Sequence, residues 1–252
     1  MIIELFGPPA AGKTTFAHGL ITQLRLRGHD VEPVMSSRPS ELRQGSGSMD
    51  KRLPGSMTAV MQRVHRPLRE VCSTLNEPTS ADRRLVGELM RILPPSNPMW
   101  RLRLHLYLLG LSRAWRRGAS SEHIVLFDQG FVQAVCTFAQ LTRASDDATL
   151  AKLLSTIPAS DVRIRVSAPR HIIDQRLRER AQGQSYLERL LEFDRETNLA
   201  AIDVIDHLDC LLARNGRSVL NVSSLDPVSP ETLARTIDAR ARTRVQSTGN
   251  AL

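Results

Sequence analysis

The residues with the plainest chemistry stand near the start of the chain. Gly7-Pro8-Pro9-Ala10-Ala11-Gly12-Lys13-Thr14 fits the spacing G-x-x-x-x-G-K-[ST], with Thr15 directly behind it. Glycine at both ends lets backbone N–H groups turn inward as an anion nest, at the positive end of the helix that follows. In such a nest Lys13 reaches the β- and γ-phosphates of a nucleotide as a point charge, and the Thr14 hydroxyl is a ligand for Mg²⁺. The motif has this meaning only between a strand and a helix. Met1 to Phe6 supplies the strand, a short apolar run whose only charge is Glu4. Thr14 to Arg27 supplies the helix, with Phe16, Ala17, Leu20, Ile21, Leu24 and Leu26 at helical spacing and Gly28 as its stop.

A second signal lies further on. His123 to Asp128 is a continuous apolar strand that ends in a carboxylate and is followed by Gln129-Gly130. Beside a phosphate loop, Asp128 either caps the turn after it, or holds a metal-bound water, or accepts a proton from a substrate hydroxyl. Arg176 and Arg180 stand four apart on one predicted helix and share a face, whereas Arg178 points elsewhere. Two readings stay open for them. They form a solvated basic face pairing with Asp174 and Glu179, or they close over a transferred phosphate and supply in cis the charge of an arginine finger.

The elements that must hold these residues follow from periodicity and breakers. Asp30 to Val34 reads as a strand near a sheet edge because of Pro33. Ser36 to Ser56, rich in Ser, Gly and Pro, reads as a mobile loop, either a substrate-side flap or a plain insert. Helices are expected over Met57 to Leu75, from Ser80 to about Leu93, and from Met99 to about Arg117, where Asn97-Pro98 caps the start and Gly118 the end. This last helix is apolar nearly all round, which predicts burial on several sides. Asp161 to Ser167 is a fourth strand and Pro169 to Ala181 a helix stopping near Gly183. Ser185-x-x-Glu188 is a capping box that opens a long helix to about Ala213. Ser218 to Val222 is a fifth strand, Pro230 to about Arg242 a final helix, and the polar remainder a frayed tail.

Strands alternating with helices predict an α/β fold: a five-stranded parallel sheet with helices on both faces, binding ligands beyond the carboxyl ends of its strands. The phosphate loop and Asp128 then share one edge. One domain is expected over 1–245, with 36–118 as a loop plus helical substrate-side region, 176–190 as a lid-like region and 246–252 as a tail.

Composition narrows the classes. Of 252 residues 41% are hydrophobic but only 4% aromatic, so Leu, Ile, Val and Ala must fill the core. The net charge is +8, and only Lys13, Lys51 and Lys152 among the 34 basic residues are lysines. An arginine excess suits phosphate or nucleic acid, and it also follows from compositional bias alone. The basic residues are spread out and stacking aromatics are few, which weighs against nucleic acid. Cys72, Cys136 and Cys210 form no C-x-x-C, arguing against a zinc site or disulfide framework and for a reducing compartment. Because the chain begins directly in a strand, no leader is expected. Met99 to Trp115 carries Arg101, Arg103, His105 and Arg113, so no membrane span is expected either, and the localisation expected is cytoplasmic.

On the loop, the Asp128 strand and the spaced arginines, the chain resembles the P-loop kinases that act on nucleosides and nucleotides, thymidylate kinases most closely. Ile124 to Gly130 is similar to their strand ending in Asp-Arg-aromatic, and Ile164 to Arg180 to their strand, Pro-containing turn and arginine-bearing helix. Ser37-Arg38-Pro39 is similar to their Arg-Glu-Pro, and Leu108 to Arg113 to their helix with a substrate-side arginine. The resemblance implies ATP and Mg²⁺ on Lys13 and Thr14, Asp128 near the acceptor or a metal-bound water, Arg176 and Arg180 in a lid, and Arg38 and Arg113 on the acceptor side. Gln129 stands where the arginine is expected, Gly130 where the aromatic is, and the Glu after Arg38 is missing. The activity implied is phosphoryl transfer to a small-molecule acceptor that the sequence does not identify, with a homodimer left open. Two other readings remain: a non-kinase NTPase or nucleotide switch acting on a macromolecular partner, and a nucleotide binder without catalysis. The first of these lacks its familiar marks, since the chain has no Asn-Lys-x-Asp, no Leu-Ser-Gly-Gly-Gln and no Asp-Glu pair after Phe127.

Overall fold

The computed structural model describes residues 1–35, 79–142, 146–183 and 193–249. Its strands are β1 (Ile2–Phe6), β2 (Val31–Val34), β3 (Ile124–Phe127), β4 (Val162–Ser167) and β5 (Leu220–Ser223). Its helices are α1 (Lys13–Leu26), α2 (Ser80–Ile92), α3 (Pro98–Ala119), α4 (Phe131–Thr142), α5 (Asp147–Thr156), α6 (Arg170–Gly183), α7 (Arg195–Arg214) and α8 (Ser229–Gly249). All strand pairs are parallel, in the order β2-β3-β1-β4-β5. The expected α/β architecture is therefore present, with Pro33 on an edge strand and β1 at the centre.

Side chains of a strand alternate between faces, and here the alternation divides two cores. Ile3 and Leu5 of β1 face α1 and α8, together with Ile124, Leu126, Val162, Ile164 and Val166. Ile2 and Phe6 face the other way, with Val125 and Phe127, onto a larger core built from α2, α3, α4, α5 and α7. Glu4, Arg163 and Arg165 share that second face by register, since Glu4 pairs with Arg163 and Phe6 with Arg165 across β1 and β4. Trp115 fills the space between Phe127 and Phe131, with ring centroids 4.8 and 5.1 Å away.

Several sequence expectations change. α4 and α5, between Asp128 and β4, are further helices, and α5 with its C-cap carries Leu150, Leu153, Leu154 and Ile157 at helical spacing behind the Asp146 cap. α4 buries residues on every side of its first two turns, which leaves only a narrow polar stripe of Gln133, Thr137 and Gln140. The long helix does not run unbroken to 213. Its described part begins at Arg195, where Asp194 caps the Thr197 N–H at 2.7 Å. The box Ser185-x-x-Glu188, the helix Met57 to Leu75 and the loop 36–56 lie outside the described residues.

α3 is buried only in part: Met99 and Leu102 are 59% and 61% exposed, while Leu104, Leu108 and Trp115 pack inside. Gly118 does not end α3. It sits within the last turn, where a Cβ would come 3.2 Å from the Val125 side chain. α8 continues to Gly249, past the end expected near 242 for the helix.

One polar cluster joins α2 to α3. Asp82 completes a capping box with Thr79, accepts from Ser112 Oγ at 2.7 Å and meets Arg116 at 3.1 Å. Burial alone would raise its pKa. The donors of Ser112, Thr79 and Arg116 outweigh burial and hold it below the ordinary value of 3.8. Asp82→Ala strands these donors and should cost about 3 kcal/mol in urea unfolding at pH 7. Because the folded pKa is the lower one, this stabilisation is complete above the unfolded value and lost as pH falls through the folded one. The stability gap between the parent and the variant should therefore narrow in strong acid.

Candidate functional site

β1 ends at Phe6 and the chain turns at once. Gly7 has φ +154°, and a Cβ there would lie 2.2 Å from the Val166 carbonyl oxygen of β4. Only glycine fits. The Gly7 N–H donates to Gln133 Oε1 at 3.1 Å, so the start of α4 holds the entrance of the loop. The Ala11 N–H donates to the Pro8 carbonyl at 3.2 Å. Pro8 and Pro9 carry no N–H, which leaves Ala10, Gly12, Lys13, Thr14 and Thr15 to supply the nest. Ala10 and Gly12 both take left-handed conformations, with φ 61° and 94°, and these turns swing successive N–H groups to one side. α1 starts at Lys13, and its N-cap Gly12 has no side chain to bond the first turn. The first N–H groups of a helix find no acceptor within the helix, and those of α1 stand at the positive end of its dipole.

The side chains of the motif converge from neighbouring strands. Lys13 is buried, and its ammonium donates to the carbonyls of Gly7 and Pro8 at 2.7 and 2.8 Å. β1 and β3 are adjacent, so Asp128, just past β3, stands beside the loop. The Thr14 hydroxyl donates to Asp128 Oδ2 at 3.4 Å, and Asp128 is 1% exposed. A hydroxyl and a carboxylate are hard oxygen ligands of the kind Mg²⁺ takes.

α6 closes the other side. Arg176 Nη1 donates to the Ala10 carbonyl at 3.1 Å, and a Cβ on Gly12 would come within 3.4 Å of that nitrogen. Arg180, one turn on, lines the same cleft. Arg178 turns away to Asp174, 2.9 Å off, as the helical spacing predicts. The cleft between loop and helix has a volume of about 650 Å³.

Three of the cleft's walls were not marked by any sequence motif. Ser224 and Asp226 come from the turn between β5 and α8, and Pro230 from the first turn of α8. The β5–α8 turn reaches the cleft because the Ser224 N–H donates to the Ser167 carbonyl at 2.9 Å, tying it to the end of β4. The only available signal was that β5 must end on the same edge as β1. Gln129 also lines the cleft, on the Asp128 side. Arg113 lies half-buried on α3 and is not among the described residues lining the cleft. Arg38 lies outside the described residues.

Two buried groups behind the loop have shifted pKa values. Burial pushes the Cys136 thiol up to about 12 against the opposing field of Lys13, so it stays protonated and inert. Burial also raises the Glu4 carboxyl, while Ser160, the Val132 N–H, Arg163 and the Phe131 N–H pull it down.

No family model matches the chain, and no curated protein matches it. Among solved structures it is similar to a deoxyadenosine kinase from M. mycoides with bound dATP. The identity there is 11% and the TM-score 0.49, over 94% of this chain and 98% of that one. The same kinase with products dCMP and a flexible dCDP gives 12% and 0.44, over 96% and 100%. With bound dCTP it gives 13% and 0.43, over 95% and 100%.

The crowding at Gly7 generates a direct test. Gly7→Ala places a methyl group against a backbone carbonyl that has no side-chain freedom to yield. The substitution should cost about 3 kcal/mol in urea unfolding and abolish any rise in melting temperature on adding ATP.

Proposed function

We propose that this protein is an ATP-dependent small-molecule kinase that passes the γ-phosphoryl group of ATP to a hydroxyl or phosphate of an acceptor. The observation that carries the reading is the approach of Arg176 to the phosphate loop, opposite the Thr14–Asp128 pair. Phosphoryl transfer needs little covalent help. It needs reactants in line and positive charge around the transferred group. The loop N–H groups of Ala10 and Gly12 to Thr15 would bind the β-phosphate side of the nucleotide. Lys13 would exchange its two carbonyl partners for phosphate oxygens. Arg176 and Arg180 would cover the cleft from α6 and stabilise the charge that develops as the bond to the leaving oxygen lengthens. Thr14, and Asp128 through a water, would hold Mg²⁺, which when bound neutralises phosphate charge. In the alternative role Asp128 would take the proton of an acceptor hydroxyl.

Gln129 favours a second reading. It lines the cleft where the kinases that the chain resembles have an arginine, and a neutral amide there suits a nucleotide binder that does not transfer phosphate.

The two readings separate in one assay. The purified protein with Mg²⁺·ATP is offered nucleosides, nucleoside monophosphates, sugars and small alcohols, with Lys13→Ala as control. Acceptor-dependent ADP formation is expected, falling at least about 100-fold in the control. Binding without turnover, or hydrolysis indifferent to every acceptor, would contradict the kinase.

A further inference from the structure

Glu4 is the one acid inside β1, the central strand, and it is 0% exposed. It does not line the cleft, and its partners lie at the start of α4 and around β4, behind the Asp128 turn. Oε2 accepts the Val132 N–H at 3.2 Å, and Oε1 accepts the Ser160 hydroxyl at 2.7 Å. Arg163 Nε stands 3.7 Å from Oε1. α4 opens at Phe131 straight after Gly130, so the position before the helix has no side chain with which to cap it. The Glu4 carboxylate takes that part from the neighbouring strand, at the positive end of α4. Gly130 is what admits it: a Cβ there would lie 2.3 Å from Glu4 Oε2 and 2.7 Å from Glu4 Cβ.

A buried acid is a poor way to stabilise a central strand, because an apolar residue of similar volume avoids the desolvation cost. What the acid adds is orientation. The segment Asp128-Gln129-Gly130 is tied at one end by the Asp128 N–H to the Val34 carbonyl, at 3.3 Å. At its other end it runs into the helix start that Glu4 grips.

We propose that Glu4 is a positioning residue. By capping α4 across the sheet it fixes the turn from Asp128 to Gly130, and through it the aim of the Asp128 carboxylate at Thr14. This rests on the reading of Thr14 and Asp128 as the seat of Mg²⁺. Gly130, which departs from the kinases that the chain resembles, is then a fitted partner of Glu4.

The test is the affinity of the full chain for a fluorescent ATP analogue, with and without Mg²⁺, and it needs no acceptor. Glu4→Gln should leave the Mg²⁺-free affinity within about twofold, because the loop N–H groups and Lys13 are untouched. It should reduce the gain in affinity on adding Mg²⁺ by about tenfold. Asp128→Asn should lose the same gain, and the double variant should be no worse than Asp128→Asn alone, since the two act through one carboxylate. Full Mg²⁺ enhancement in Glu4→Gln, or losses that add in the double variant, would overturn the proposal. A wild-type protein whose nucleotide affinity ignores Mg²⁺ would instead overturn the metal seat, and the role of Glu4 with it. Should Glu4→Gln fail to fold, Ser160→Ala removes one donor from the carboxylate. It should show a smaller loss in the same direction, and an unchanged Mg²⁺ gain would refute the role.

Discussion

The structure depends on a contact with no room in it. β1 and β4 run side by side, and at the end of β1 the chain passes so close to the Val166 carbonyl that a single methyl group would collide with it. The turn at Gly7 lets the chain leave the sheet immediately and return as α1 with its amino end facing the gap it has just crossed. Everything that could handle phosphate follows from this corner. The nest forms between Ala10 and Thr15, Thr14 falls in the first turn of the helix, and the cleft opens toward strands that end at the same level.

The two faces of the sheet play different parts. The face under α1 and α8 is uniformly apolar, and it anchors the helix that carries Lys13. The other face admits Glu4, Arg163 and Arg165 among its apolar residues. Arg165 answers to Asp206 and Asp209 on α7, and Arg163 to Glu4. The buried Glu4–Arg163 pair brings less stability than apolar residues of the same size would, whereas Arg165 and Asp209 are half-buried and Asp206 is exposed. They fix how α4 and α7 sit on the sheet, and α4 in turn touches the loop through Gln133 and the Asp128 turn through its own first residues.

The sequence made the glycine turn between β1 and α1, the five strands and the Asp128 strand end legible because each has a local signature: fixed glycine spacing, short apolar runs, a carboxylate after a buried strand. The four-residue spacing of Arg176 and Arg180 was legible for the same reason, since helical geometry alone puts them on one face. Where burial is two-sided the signature narrows. α4, with Phe131, Val132, Ala134, Val135, Cys136 and Phe138 all inside, has only the thin stripe of Gln133, Thr137 and Gln140 to betray its period. The exposed start of α3 misled in the opposite sense, because Met99 and Leu102 are apolar without being buried. Ser224 and Asp226 could not be read at all. They reach the cleft through the pairing of β5 with β4, a contact between positions far apart in the chain. Glu4 looked like an exception in an apolar strand, and only the crowding at Gly130 shows what it faces.

Calorimetric titration of the wild-type protein with adenosine, AMP, ADP and ATP in the presence of Mg²⁺ tests most directly whether the loop recognises a chain of phosphates. If the N–H groups of the loop, Lys13 and Arg176 form one anion site, affinity should climb with each added phosphate, and ATP should bind at least about 100-fold more tightly than adenosine. Adenosine and ATP binding equally well, or ATP not binding at all, would contradict it.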